Sequence, residues 1–170
     1  MELKIIGSIF IIIGITGIGF CMTLKDKQRL NNLTDIKRDI NMIMSELLYN
    51  KSLFYNTIDK LKNSSGQLSI LYGEIIKSLD NNNSVALSWK FAFEKYKKEL
   101  YIDNEESSVI SGLGQVFSSP DYSYQKMEIN SLIQYLDTRI ETAEEKLKAN
   151  SRLNRSIAMS LAAFVVVVLF

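Results

Sequence analysis

The stretch LTDIKRDINMIMSEL, residues 33–47, places apolar side chains at Leu33, Ile36, Ile40, Ile43 and Leu47. Steps of three and four line them along one face of an α-helix and turn Asp35, Lys37, Arg38 and Asp39 toward solvent. That period recurs through the middle of the chain. Ser52 can cap a second helix carrying Phe54, Ile58 and Leu61, which stops at Asn63, Ser64, Ser65 and Gly66. A third segment has Leu68, Leu71, Tyr72, Ile75, Ile76 and Leu79 on one side, before the polar loop Asp80 to Asn83. Ser84 then caps a fourth helix with an inward face of Val85, Trp89, Ala92, Phe93, Tyr96 and Leu100. Trp89 is expected to anchor the core.

Past the acidic turn Asp103 to Glu106, a fifth helix contains Val109, Ile110, Leu113 and Phe117. Gly112 and Gly114 precede no phosphate-binding turn. Within a helix each costs up to about 1 kcal/mol relative to alanine, so both are read as places where a neighbouring helix approaches closely. Ser118 or Ser119 can cap a sixth helix, with Pro120 in its first turn and Asp121 near the positive end of its dipole. Ile129, Ile133, Leu136, Ile140, Ala143 and Leu147 keep the same spacing toward Arg155. Six helices with short polar connections define an all-α fold, an antiparallel bundle with its first and last helices side by side.

The two ends of the chain differ from this middle. Ile5 to Leu24 runs twenty residues without a charge, between Lys4 and Lys25. That length suits a helix crossing hydrocarbon. Ser156 to Phe170 is fifteen residues and would have to stand nearly upright to span, a buried strand being the alternative for its VVVV segment. The expected organisation is an N-terminal transmembrane anchor over 1–24, a helical bundle over 25–155 and a C-terminal transmembrane segment over 156–170. A cleaved signal peptide would want a small-residue cleavage site, which is absent. A lipoprotein signal ending at Cys21 would place bulky Phe20 where a small residue belongs.

Lys25, Lys27 and Arg29 follow the first run, and Lys146, Lys148, Arg152 and Arg155 precede the second, against Lys4 alone on the outer flanks. By the positive-inside rule the segment 25–155 faces the cytoplasm and the termini face outward. Within the first run Gly7, Gly14, Gly17 and Cys21 share a face where another helix could pack, or which lipid could cover.

Residues 25–155 carry 19 basic and 18 acidic side chains and no basic block, which argues against nucleic acid as a partner. The chain has no histidine and one cysteine, so it lacks the usual neutral-pH base, the commonest metal ligand and any intrachain disulfide. Adjacent carboxylates such as Glu105–Glu106 and Glu144–Glu145 point about 100° apart on a helix and are expected to be solvated. No phosphate loop or activated nucleophile is present. A scaffold or binding role without catalysis or cofactor is the expectation.

Four words in order resemble the stage III sporulation protein AB family. Glu46, Leu47, Leu48 and Tyr49 resemble its E-[aliphatic]-x-Y, with Leu53 where a proline is usual and Ser52 keeping the cap. Ser84, Trp89, Ala92 and Phe93 are similar to S-x-x-x-x-W-x-x-A-L. Leu113, Gly114, Phe117, Asp121 and Gln125 resemble L-G-x-x-L-G-x-S-D-x-x-x-Q, with Ser118 and Pro120 replacing its second glycine and its serine. Arg152, Leu153, Arg155, Ser156 and Ile157 look like K-L-x-R-S-L, with Ala158 replacing a glycine.

The resemblance implies a membrane protein of the mother cell, in the channel complex that joins it to the forespore, with a domain like the F domains of type II secretion machines. It implies partners among the other proteins of that complex, above all a cytoplasmic ATPase, stage III sporulation protein AA, and is compatible with a homo-oligomer. The competing expectation is a sensory bundle held on the outer side of the membrane. It needs an output domain after the second run, and the basic flanks point the other way.

Overall fold

In a computed structural model of the chain, the described residues are 2–48, 53–64 and 66–169. Described side chains cover 23–48, 53–63 and 66–154, with Ser156, Ile157, Ser160 and Phe164 beyond. Among these residues six α-helices follow one another and no strand occurs: α1 Glu2–Leu48, α2 Phe54–Ser64, α3 Ser69–Asp80, α4 Val85–Tyr96, α5 Asn104–Phe117 and α6 Tyr122–Leu169. A 3-10 turn, Gly66–Leu68, links α2 to α3. The chain divides into two units, Met1–Gln28 with Glu141–Phe170, and Arg29–Ile140.

Among the described residues no helix is long and apolar enough to cross a membrane. The runs 5–24 and 156–170 fall largely on side chains outside the described residues, as do Gly7, Gly14, Gly17, Cys21 and Arg155, and Tyr49 and Ser52 lie outside altogether.

In the unit Arg29–Ile140, Leu33, Ile36, Ile40 and Ile43 are fully buried, as the spacing predicts. Asp39 corrects the expected polar face, because it is buried with them. Three residues after Ile36, it turns toward α3, where the Tyr72 hydroxyl donates to Oδ2 at 3.0 Å. Arg38 pairs with its other oxygen at 2.9 Å. A buried carboxylate is tolerated when it is hydrogen-bonded and paired in this way.

Side-chain pairs fix the order of packing. Tyr55 at the start of α2 faces Asp80 at the end of α3. Lys95 pairs with Glu74 at 2.9 Å, and the Ser88 hydroxyl donates to Ser78 Oγ at 2.9 Å, so α3 and α4 are antiparallel. The pairs Trp89 with Ile110 and Ala86 with Gly114 make α4 and α5 antiparallel. Arg139 with Asp103 and Tyr135 with Glu105 do the same for α5 and α6. The first helix joins this bundle through Lys37 to Asp137 of α6 and Glu46 to Lys60 of α2.

The reversals carry their own chemistry. After α3 the Asn82 amide donates to the Leu79 carbonyl at 2.9 Å and Asn83 to Ser78 at 3.3 Å, with Asn82 at φ 60°. This is a Schellman closure built on asparagine, the non-glycine residue that best tolerates the left-handed region. Ser84 caps α4 as expected, accepting from the Leu87 amide.

Candidate functional site

Two constellations gather residues singled out from the sequence and a third gathers others, all within the unit Arg29–Ile140. In the first, Trp89 is fully buried and its indole Nε1 donates to the Ile110 carbonyl at 2.8 Å. Phe93 and Phe117 stack around it with ring centroids 4.9 and 5.0 Å away, and Phe54 joins from α2 at 6.2 Å. Gly114 makes this approach possible. A Cβ there would stand 2.8 Å from the Ala86 carbonyl oxygen and 2.9 Å from Ala86 Cα and Trp89 Cβ. Leu113 beside it is buried. Gly112 is different: the space around its Cβ position is open, so the expected close approach holds at Gly114 and fails at Gly112.

The second constellation is the turn between α5 and α6. The helix cap is Asp121, and neither Ser118 nor Ser119 takes that place. Asp121 Oδ1 accepts from the Ser123 and Tyr124 amides at 2.9 and 3.1 Å. Pro120 therefore stands before the helix instead of in its first turn. Gln125 is buried and donates to the Ser119 carbonyl at 2.6 Å, tying the helix back to the turn. Ser118 Oγ donates to the Gly114 carbonyl at 2.8 Å. The pair Asp121 and Gln125, four residues apart, thus serves a cap and a clasp.

The third constellation was missed. Glu106 was expected in solvent with Glu105, yet its side chain is wholly buried while Glu105 stays exposed. Asp103 and Glu106 form a capping box at the start of α5, each accepting from the other's amide at 2.8 and 2.9 Å. That pattern was legible, since an acidic cap residue followed three places later by glutamate is the sequence signature of such a box. Arg29 of α1 donates to Glu106 Oε1 at 2.7 Å and to Asp103 Oδ2 at 3.3 Å. Arg139 of α6 donates to Asp103 Oδ2 at 2.7 Å and to Glu106 Oε1 at 3.2 Å. Burial works to lower the Arg139 pKa, but Tyr135, Asp103, Glu106 and Glu105 outweigh it and hold it above its ordinary value.

Two guanidinium groups therefore clasp two carboxylates, and α1, α5 and α6 are braced at one point. Each carboxylate of the cluster stands within ion-pair distance of a guanidinium. Arg29, first singled out for membrane topology, carries this second role. Asn32 adds to it, fully buried and donating to the Leu100 carbonyl at 2.9 Å, which pins the loop ahead of α5.

Of the remaining motif residues, Glu46 pairs with Lys60 at 3.1 Å and ties the end of α1 to α2. The outer side of α4 is less settled. Leu87 and Phe91, one turn apart, are half exposed. They stand between an open groove of about 450 Å³ lined by Ser84, Lys90, Ser111 and Gly112 and a smaller one beside α3.

These features define an all-helical bundle whose distinctive residues pack, cap and brace its helices. The family described as stage III sporulation protein AB matches residues 4–170, nearly the whole chain. The chain belongs to that family and so to the proteins of spore formation. It is similar to stage III sporulation protein AB of Bacillus subtilis (strain 168), 21% identical over 169 residues covering 98% of each chain. A solved structure of stage III sporulation protein AB superposes with a TM-score of 0.67 at 17% identity, covering 71% of this chain and 97% of that one, which shows the shared fold.

Proposed function

We propose that this protein is a membrane-anchored platform of the mother cell, part of the channel complex between mother cell and forespore, on which a cytoplasmic ATPase docks. The observation that carries the reading is the family match over residues 4–170, which takes in both apolar runs as well as the bundle. Charge-free runs of twenty and fifteen residues at the two ends support the anchoring, and the lysine and arginine residues that flank them on the inner side support a cytoplasmic bundle. A bundle held at both ends has restricted rotation, which suits a platform that must pass on a motor's cycle. The open face of α4 with Leu87 and Phe91 supports a protein-contact role, since adjoining exposed apolar side chains mark contact surfaces.

The test is crosslinking in sporulating cells followed by identification of the neighbours. The ATPase stage III sporulation protein AA is the expected product, and its absence from the crosslinked set would overturn the docking reading. A cysteine at exposed Asn82 reports the side. It should resist a membrane-impermeant thiol reagent in intact cells, and efficient labelling would move the bundle to the outer side.

A further inference from the structure

The unit Met1–Gln28 with Glu141–Phe170 carries a charge imbalance that its own contacts leave open. Asn154 Nδ2 donates to Thr23 Oγ1 at 2.7 Å, and Asn150 Nδ2 donates to Asp26 Oδ2 at 2.6 Å. Lys146 pairs with Asp26 Oδ1 at 3.3 Å. These contacts set α1 and α6 antiparallel, with residue 23 level with 154 and residue 26 level with 150. The register places Lys25 on α1 level with Arg152 on α6, two cations at one height.

Over residues 23–28 and 146–155 the sequence holds six basic side chains and one acid, Asp26. That acid is already used, since its two oxygens are taken by Lys146 and Asn150 in the seam between the helices. Lys25, Lys27 and Arg152 are exposed, and among the described residues none of the three has an ion-pair partner. Lys148 has only an exposed pair with Glu144 one turn away. Spread around the helix pair at about one height and facing solvent, these cations are open to anions from outside the chain. Their place in the sequence, directly beside both apolar runs, sets them at the depth of lipid headgroups.

We propose that Lys25, Lys27 and Arg152 form a collar that binds the phosphate of anionic lipids. The inference rests on the membrane reading above and adds a lipid preference to it. Each lysine or arginine near an anionic leaflet contributes about 1 kcal/mol, roughly a fivefold preference. The planar guanidinium of Arg152 can grip a phosphate with two hydrogen bonds. The preference weakens with salt, because the collar is exposed.

The experiment uses the full chain reconstituted in vesicles of phosphatidylcholine, with and without phosphatidylglycerol, and reads the association of spin-labelled phosphatidylglycerol relative to spin-labelled phosphatidylcholine. The native chain should favour phosphatidylglycerol by at least about tenfold. The variant with Lys25→Gln, Lys27→Gln and Arg152→Gln should lose most of that preference, whereas Lys90→Gln should keep it. Equal association of both lipids with a chain that resists carbonate extraction would overturn the collar and leave the membrane reading standing. A chain that carbonate extracts would overturn both. Loss of the lipid preference on adding millimolar inorganic phosphate, with sodium chloride of equal ionic strength having no such effect, would assign the site to a soluble anion and overturn the lipid assignment.

Discussion

The indole of Trp89 donates to the carbonyl of Ile110 across a helix interface that Gly114 leaves free of any side chain. Three features separated in sequence are thus one contact: a tryptophan on α4, a carbonyl on α5 and a missing Cβ one turn further along α5. The carbonyl of a helix interior is normally taken by its own ladder, and only close approach lets a neighbouring donor share it. Gly114→Ala should therefore destabilise the bundle by about 1–3 kcal/mol, despite alanine's better helix propensity, because the atoms it meets include the backbone of Ala86. Gly112→Ala should do the opposite and raise the thermal midpoint, by up to about 1 kcal/mol of stability, since its Cβ enters open space. Thermal or urea unfolding of the two variants side by side checks both signs.

Glu106 is the buried partner of two arginines, and removing its charge leaves Asp103 as the one carboxylate that both guanidinium groups share. Glu106→Gln should cost about 1–3 kcal/mol. Glu105→Gln, at the exposed edge of the same cluster, should stay within about 0.5 kcal/mol. Denaturant midpoints at a common pH measure the difference, and equal effects would contradict the brace.

Burial pushes the Tyr72 phenol well above its ordinary value, and the charge and hydrogen bond of Asp39 add to the rise. An unfolded tyrosine loses its proton near pH of about 10. The folded state holds that proton more tightly, so this contribution to stability is fully present below that pH and is lost as pH climbs toward the folded value. Stability of the native chain should fall steeply in alkaline solution. Tyr72→Phe should start lower, by about 1–3 kcal/mol for the unanswered Asp39, and show a shallower alkaline fall. Thermal melts from pH 8 to 11 give both slopes.

Asp121 caps α6 with two amides, and asparagine can accept the same bonds. Asp121→Ala should cost about 0.5–2 kcal/mol and Asp121→Asn much less. If the family-motif position serves a partner's charge instead of the cap, the asparagine variant will keep its stability and lose the protein neighbour in crosslinking.

Helix positions and the apolar core were legible because burial writes itself into the chain at a period of three and four. Leu33 through Ile43 and Ile129 through Leu136 needed no tertiary knowledge. Asp39 and Glu106 were not legible from that period, because each is a polar residue on the flank of an apolar stripe whose burial depends on a distant partner. Tyr72 lies 33 residues from Asp39, and Arg29 lies 77 from Glu106. The Asp103–Glu106 box was local and could have been found. Gly112 and Gly114 look alike in sequence, and only the position of α4 tells them apart.

The clasp of Arg29 and Arg139 on Glu106 also sets a timetable for synthesis. Neighbouring helices from α2 to α5 meet through contacts close in sequence and can pair as they emerge. The start of the first helix must wait, because Arg29 is answered by Asp103 and Glu106, Asn32 by Leu100 and Lys37 by Asp137, all made later. During that interval only the far end of α1 has partners, Asp39 with Tyr72 and Glu46 with Lys60. A ribosome-bound chain whose Asp103 and Glu106 have not yet left the tunnel would show the α3–α4 hairpin protected from protease and the Arg29 end of α1 still open, so the order of assembly is written into which carboxylates come last.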